Sequence, residues 1–217
     1  MAIETLAQLR QARRIVIKIG SALLVERGEP RAAWLAGLAD EIAQLRQTSE
    51  VIVVSSGAIA LGAARLGLAK GGRASLADAQ ASASVGQVAL ARLWADALES
   101  HGITAAQMLV TLGDLEDRRR YLNAAATLSR LLDMSVVPVV NENDSVATEE
   151  IRFGDNDRLA ARVAQAAGAE AVVLLSDVDG LYDRDPREPG AVLVDRVEGV
   201  SPAVFAMAGE GSSSGLG

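Results

Sequence analysis

The chain has 217 residues, half of them hydrophobic, 23% charged and only 3% aromatic, with a net charge of −7 at neutral pH. That length suits one α/β domain able to bury a two-faced sheet, and the acidic balance argues against a nucleic-acid partner. There is no cysteine for disulfides or metal ligation, Met1–Arg14 lacks a signal-peptide core, and no apolar run approaches the roughly 18 residues of a membrane span; a soluble, cytoplasmic protein is expected.

In chain order, Ile15–Ile19 reads as a strand that stops at Gly20-Ser21. Trp34, Leu38, Ile42 and Leu45 recur at helical spacing after Pro30. Val51–Val54 is a second short strand ending in Ser55-Ser56-Gly57, and a small-residue helix follows through Ile59, Leu61 and Leu66. A longer helix is predicted from about Leu76 to Ser100, with Leu90, Leu93, Trp94, Ala97 and Leu98 on one side. Next come a strand near Ala106–Thr111 and a helix carrying Tyr121, Ala125, Leu128 and Leu132. Val136–Val140 is a fourth strand, interrupted by Pro138, and Val146–Phe153 reads as an edge hairpin. A helix through Leu159, Val163 and Ala166 leads into a fifth strand, Ala171–Leu175, and Gly209–Gly217 reads as a glycine-serine tail. Continuously apolar strands alternating with helices imply an α/β, three-layer αβα sandwich around a mainly parallel sheet.

Of the 21 basic residues only Lys18 and Lys70 are lysines. A lysine embedded in an apolar strand therefore asks for a reason. It can guard a sheet edge, or it can end a buried strand and hold its ammonium over a phosphate while Gly20 lets the backbone approach the same anion. Ser55-Ser56-Gly57 is a strand-to-helix turn that serves either as a helix cap or as an anion site made of a hydroxyl and free N–H groups. Asn141-Glu142-Asn143-Asp144 directly follows a strand and Gly154-Asp155-Asn156-Asp157 opens a helix. Each is a polar turn or cap by composition. Together they suggest a pocket in which Asp144 receives an amino group and Asn156 a carboxylate. Ser176-Asp177 closes the fifth strand, as a plain turn or along a nucleotide. His101 at a helix end, Lys70, and Arg118–Arg120 among acidic neighbours read as solvated surface. No Walker loop, G-x-G-x-x-G fingerprint, nucleophile elbow or histidine-rich metal site is present.

The segments Val16–Ser21, Ser55–Ala60, Gln107–Leu109, Val137–Asp144, Gly154–Asp157 and Ser176–Tyr182 together resemble the amino acid kinase family, over about Arg14–Gly217. Within that family they resemble the branch that phosphorylates the side-chain carboxylate of glutamate at the start of proline synthesis. The resemblance implies that Lys18 contacts ATP phosphates and that Asp157 orients it as the second catalytic residue. It implies that Ser56, Gly57, Asn141, Asp144 and Asn156 bind L-glutamate, and that Lys18, Gly20, Ser176 and Asp177 meet the nucleotide. It further implies Mg²⁺ carried by ATP with no protein metal site, feedback inhibition by proline, and a homo-oligomer. Family members continue past the position matched by Gly217 into a glycine-rich segment with a second active-site lysine, more of the nucleotide lobe and often a PUA domain. One kinase domain over residues 1–217, incomplete at its C-terminal end and without a PUA domain, is the expectation. Carbamate, acetylglutamate, aspartate and uridylate kinases share the first glycine-lysine pattern. A non-catalytic glutamate- or proline-binding protein is the alternative from another class, whereas a dinucleotide oxidoreductase is disfavoured by the missing fingerprint.

Overall fold

A computed structural model describes residues 5–146 and 155–207. In chain order the elements are α1 (Leu6–Leu9), β1 (Arg14–Ile19), α2 (Ser21–Leu24), β2 (Val25–Glu26), β3 (Glu29–Pro30), α3 (Ala32–Leu45), β4 (Glu50–Ser55) and α4 (Ala58–Leu66). After a 3₁₀ turn (Ala69–Gly72) come α5 (Leu76–Glu99), β5 (Ala105–Val110), α6 (Leu112–Glu116), α7 (Arg118–Asp133), β6 (Val137–Glu142), α8 (Asp155–Ala167), β7 (Ala171–Leu175) and α9 (Pro202–Met207). All five expected strands form, within a residue or two of the bounds read from the sequence. Of the expected Val146–Phe153 hairpin only Val146 is among the described residues, and the Gly209–Gly217 tail lies outside them.

The five strands make one parallel sheet in the order β5-β6-β4-β1-β7. Parallel neighbours need crossovers, and right-handed crossovers put helices on opposite faces when the chain reverses direction across a sheet. That is what happens here. Moving from β1 to β5, the chain lays α3 and α5 on one face, where Ile15, Ile17, Val51 and Val53 meet Leu35, Ile42, Leu90, Trp94 and Leu98. Returning through β6 to β7, it lays α7 and α8 on the other, where Val16, Ile52, Val54 and Val140 meet Leu128, Leu132, Leu159 and Val163. The result is a three-layer αβα sandwich. Each fully buried aliphatic side chain in it contributes roughly 1.5–3 kcal/mol.

Pro138 does not interrupt its strand. It lies within β6 opposite Ala106, and pairing with β4 is limited to the two positions after it, Val139 and Val140. The strand tolerates proline because the ladder on the β4 side begins past the missing N–H.

The tightest helix contact is between α4 and α5. A Cβ on Gly62 would sit 1.7 Å from the Ser82 carbonyl oxygen, and one on Gly86 would sit 1.7 Å from that of Ala58. Only glycine at both positions lets the two backbones touch, and this contact fixes where α4 begins. No helix among the described residues is long and apolar enough to cross a membrane.

Candidate functional site

The polar residues singled out from sequence gather at the C-terminal edge of the sheet, where open parallel sheets leave room for ligands. Lys18 lies near the end of β1, in register with Val54 of β4 and Leu174 of β7. Because β1 is flanked on both sides, Lys18 is not an edge guard. Its residue is 4% exposed and its Nζ is 2.8 Å from Asp157 Oδ1. Asp157 comes from the first turn of α8, which packs on the same face of the sheet as Val16. Its side chain is 48% exposed, so one end of the ion pair is buried and the other faces outward. A buried ammonium held this way by one carboxylate keeps hydrogen-bonding capacity for an anionic ligand.

Beside this pair, three chain segments interlock. Asn156 Nδ2 donates to Ser56 Oγ at 2.6 Å and, more weakly, to Asn141 Oδ1 at 3.4 Å. Asn141 is buried at the end of β6, where its Oδ1 also accepts the Glu142 N–H at 2.8 Å. Asn156 Oδ1 is buried and accepts no hydrogen bond. A buried acceptor without a donor is costly, and here it faces a cluster of polar side chains. Ser56 Oγ accepts from Asn156, which leaves its own hydroxyl proton to donate. Asp144 is also buried, two residues beyond β6. The Ser56–Asn156–Asn141 cluster therefore offers an acceptor without a donor and a hydroxyl proton still able to donate.

The serines do not cap α4. Gly57, at φ +103°, takes the N-cap position without a side-chain bond, and the Ser56 N–H donates to the Ile19 carbonyl at 3.1 Å. Ser55 Oγ points into the core, where it accepts from Trp94 Nε1 at 2.9 Å. The helix start is thus set by glycine, and the two hydroxyls meet Trp94 and Asn156 rather than the N–H groups of α4. Gly20 has an extended backbone (φ −68°, ψ 151°), and its N–H donates to the Leu175 carbonyl at 3.0 Å. Ser176 and Asp177 follow β7 next to the end of β1. The Ser176 hydroxyl accepts the Val178 N–H at 3.2 Å, and Asp177 is exposed. Gly154 and the Asp155 side chain lie outside the described set.

Other polar residues behave as surface. Arg118–Arg120 are exposed, with Arg120 bonded to Asp114 at 2.9 Å, and His101 Nε2 is 3.0 Å from Asp40. Two features were not singled out from sequence. Gln87 of α5 reaches the Glu142 carbonyl at 3.4 Å and accepts from Gln107 of β5 at 3.2 Å, bracing the end of β6; a glutamine among alanines on a long helix is the signal that could have found it. Arg73, on the turn before α5, is partly buried and lies within reach of the Asp144 charge. Nothing in a loop arginine's local sequence distinguishes it from a solvated one.

The pattern that defines the amino acid kinase family matches residues 13–215. Among curated proteins, a glutamate 5-kinase from Novosphingobium aromaticivorans is 69% identical across all of this chain and 59% of its own length. A glutamate 5-kinase from Sphingopyxis alaskensis is 68% identical over 94% of this chain and 56% of its own. One from Zymomonas mobilis subsp. mobilis is 60% identical over 94% and 52%. The chain spans somewhat over half the length of these curated relatives. Among solved structures, an isopentenyl phosphate kinase product complex from T. acidophilum superposes with a TM-score of 0.57 at 20% identity, covering 83% of this chain and 78% of that one. That likeness concerns the fold.

Proposed function

This chain belongs to the amino acid kinase family, and on that premise we propose that it forms the glutamate-binding and lysine-bearing part of an enzyme that phosphorylates the γ-carboxylate of L-glutamate with ATP. The observation that carries the reading is the buried Lys18 ammonium, 2.8 Å from Asp157, next to the Ser56–Asn156–Asn141 network.

The chemistry needs no general base. A glutamate side chain with a pKa of about 4.3 is already ionised at neutral pH. A γ-carboxylate oxygen forms the new bond to the γ-phosphorus as the bond to the β,γ-bridging oxygen breaks, and ADP leaves with that electron pair. The difficulty is holding one anion against another. Catalysis is then positioning plus charge neutralisation, as in phosphoryl transfer generally. In this reading Lys18 neutralises the transferring group and Asp157 aims the ammonium. Ser56, Gly57, Asn141, Asp144 and Asn156 hold glutamate, while Ser176 and Asp177 border the nucleotide. Gly20 contributes by tying β1 to β7, since its N–H is occupied by Leu175. Mg²⁺ would come with ATP and neutralise phosphate oxygens, and among the described residues no three Asp, Glu or His side chains converge on a cation position.

The test is ATP-dependent formation of the acyl phosphate from glutamate, trapped with hydroxylamine, alongside calorimetry with glutamate and ATP separately. Lys18→Ala should cut turnover by more than a hundredfold while changing glutamate affinity by less than threefold. Turnover that survives within a few-fold would remove Lys18 from the mechanism. Glutamate binding without turnover in the unaltered chain would favour the second reading, a glutamate-binding unit that is not itself catalytic. The exposure of Asp177 and of the segment around it, set against the buried Asn156 network, is what keeps that reading in view. Inhibition by proline and self-association in a cytoplasmic enzyme belong to the same proposal, and proline competition and light scattering test them.

A further inference from the structure

The mechanism above leaves unused a buried polar pair behind the turn that carries Ser56. Ser55, the last residue of β4, and Trp94 of α5 are both wholly buried. Trp94 Nε1 donates to Ser55 Oγ at 2.9 Å, and the Ser55 hydroxyl donates in turn to the Ser56 carbonyl at 3.2 Å. An indole N–H can only donate, so the hydroxyl proton is left for the carbonyl. The two bonds form one relay from α5 to the peptide that joins Ser56 to Gly57. The other polar groups of Ser56 are held by different elements, its N–H by Ile19 of β1 at 3.1 Å and its Oγ by Asn156 of α8 at 2.6 Å.

The Ser56–Gly57 peptide is trans, so its N–H points away from its carbonyl. With the carbonyl tied to a buried hydroxyl, the Gly57 N–H faces the opposite way, on a residue that is partly exposed. Among the described residues this N–H meets no acceptor. Gly57 has φ +103°, and a glycine backbone lets the preceding peptide swing over at little cost. Swung over, the turn would present the Ser56 carbonyl oxygen where it now presents an N–H. The relay therefore decides whether the turn attracts an anion or repels one.

We propose that Ser55 and Trp94 are positioning residues for substrate binding. Their bonds hold the Ser56–Gly57 peptide so that the Gly57 N–H is a preset donor to an anionic group of the substrate. Neither side chain touches the ligand. A donor fixed before the ligand arrives needs no reorganisation when it binds, and that saving appears as affinity.

The inference rests on the glutamate reading, and its test separates the two. Calorimetry with L-glutamate on the unaltered chain, Ser55→Ala, Trp94→Phe and the double variant forms a cycle. Ser55→Ala should weaken binding about tenfold, and Trp94→Phe about threefold. Because both act through one hydroxyl, the double variant should bind within about twofold of Ser55→Ala. Loosened packing alone would make the two losses multiply. In the ¹⁵N-labelled unaltered chain, the Gly57 amide proton should move downfield as glutamate saturates, and move less in Trp94→Phe. Melting temperatures report which variants fold, and Trp94→Phe with the Gly57 resonance carries the test if Ser55→Ala does not. Unchanged affinity in the folded variants, losses that multiply, or a Gly57 amide unmoved by glutamate would each overturn the inference and leave the glutamate reading standing. An unaltered chain that binds no glutamate would sink both.

Discussion

The two sides of the candidate site differ in how they are held. On the side of α4 and α5, polar side chains reach across to other elements: Ser56 to Asn156, Ser55 to Trp94, Asn141 to Asn156, and Gln87 to the end of β6. On the side of β7, the sheet face in line with Val16 and Lys18 exposes Val172 at 40% and Leu174 at 54%. Beyond it, Val178, Val192, Val200 and Phe205 are exposed as well. Ionic contacts there are local, such as Asp183 with Arg184 and Asp185 with Arg187. Lys18 lies on the boundary. The contrast teaches that the part read as holding an amino acid is rigid through packed glycines and buried hydrogen bonds, while the part read as meeting a nucleotide depends on short-range surface contacts.

The comparison can be broken most directly at Gly86. An alanine there must push α5 off the Ala58 carbonyl, at a cost of about 3 kcal/mol. The displacement should also reach Ser56 and weaken glutamate binding. The control is Gly37→Ala in α3, where nothing lies within 4 Å of the added methyl; it should stabilise by about 0.5–1 kcal/mol. Denaturant unfolding of both variants decides the matter. Equal effects would mean that the α4–α5 contact is not as tight as described.

A smaller effect separates the regions by pH. Asp114 stands in a capping box with Thr111 at the start of α6. Burial pushes its carboxyl up, but hydrogen bonds from the Thr111 N–H and hydroxyl and from Arg120 hold it below the usual 3.8. A depressed carboxylate stabilises the fold above its unfolded pKa, and that contribution fades as pH falls below about 3.8. Asp114→Asn should therefore cost about 0.5–1 kcal/mol at pH 7 and close to nothing near pH 2. Asp185 is held down to about 2, first by its side-chain bond with Arg187, but it lies on the exposed surface of the β7 side. Its ion pair is screened by solvent, so Asp185→Asn should change the unfolding curve less than Asp114→Asn at every pH. The reverse order would contradict the contrast drawn above. The smallest effect is expected at Leu174, where Leu174→Ser should change stability by less than about 0.5 kcal/mol. A large loss would mean that this face is covered in solution.

Legibility from the sequence followed the same division. Val16-Ile17-Lys18-Ile19 is apolar on both faces around one cation, which is enough to place a buried parallel strand and to mark Lys18. The long run from Leu76 carried a clear helical period, and α5 ends within a residue of the expected place. What escaped was whatever depends on a distant partner. Glycines 62 and 86 look like weak points in two helices until the helices are seen to cross at them. Ser55 and Ser56 looked like a cap because serine favours that position, but Gly57 takes the left-handed turn and Trp94 and Asn156 claim the hydroxyls. Helix α2 and the β2–β3 hairpin are too short to show any period. Arg73 was one arginine among many.

Trp94 has a use of its own. Its indole is wholly buried and bonded to Ser55, one residue from Ser56, whereas the other tryptophan, Trp34, is only partly buried. Fluorescence from the two should be separable, Trp94 emitting at the shorter wavelength. In a Trp34→Phe background, the remaining signal would come from a chromophore wired to the turn that carries Ser56. Occupancy could then be followed optically, with no label and no turnover.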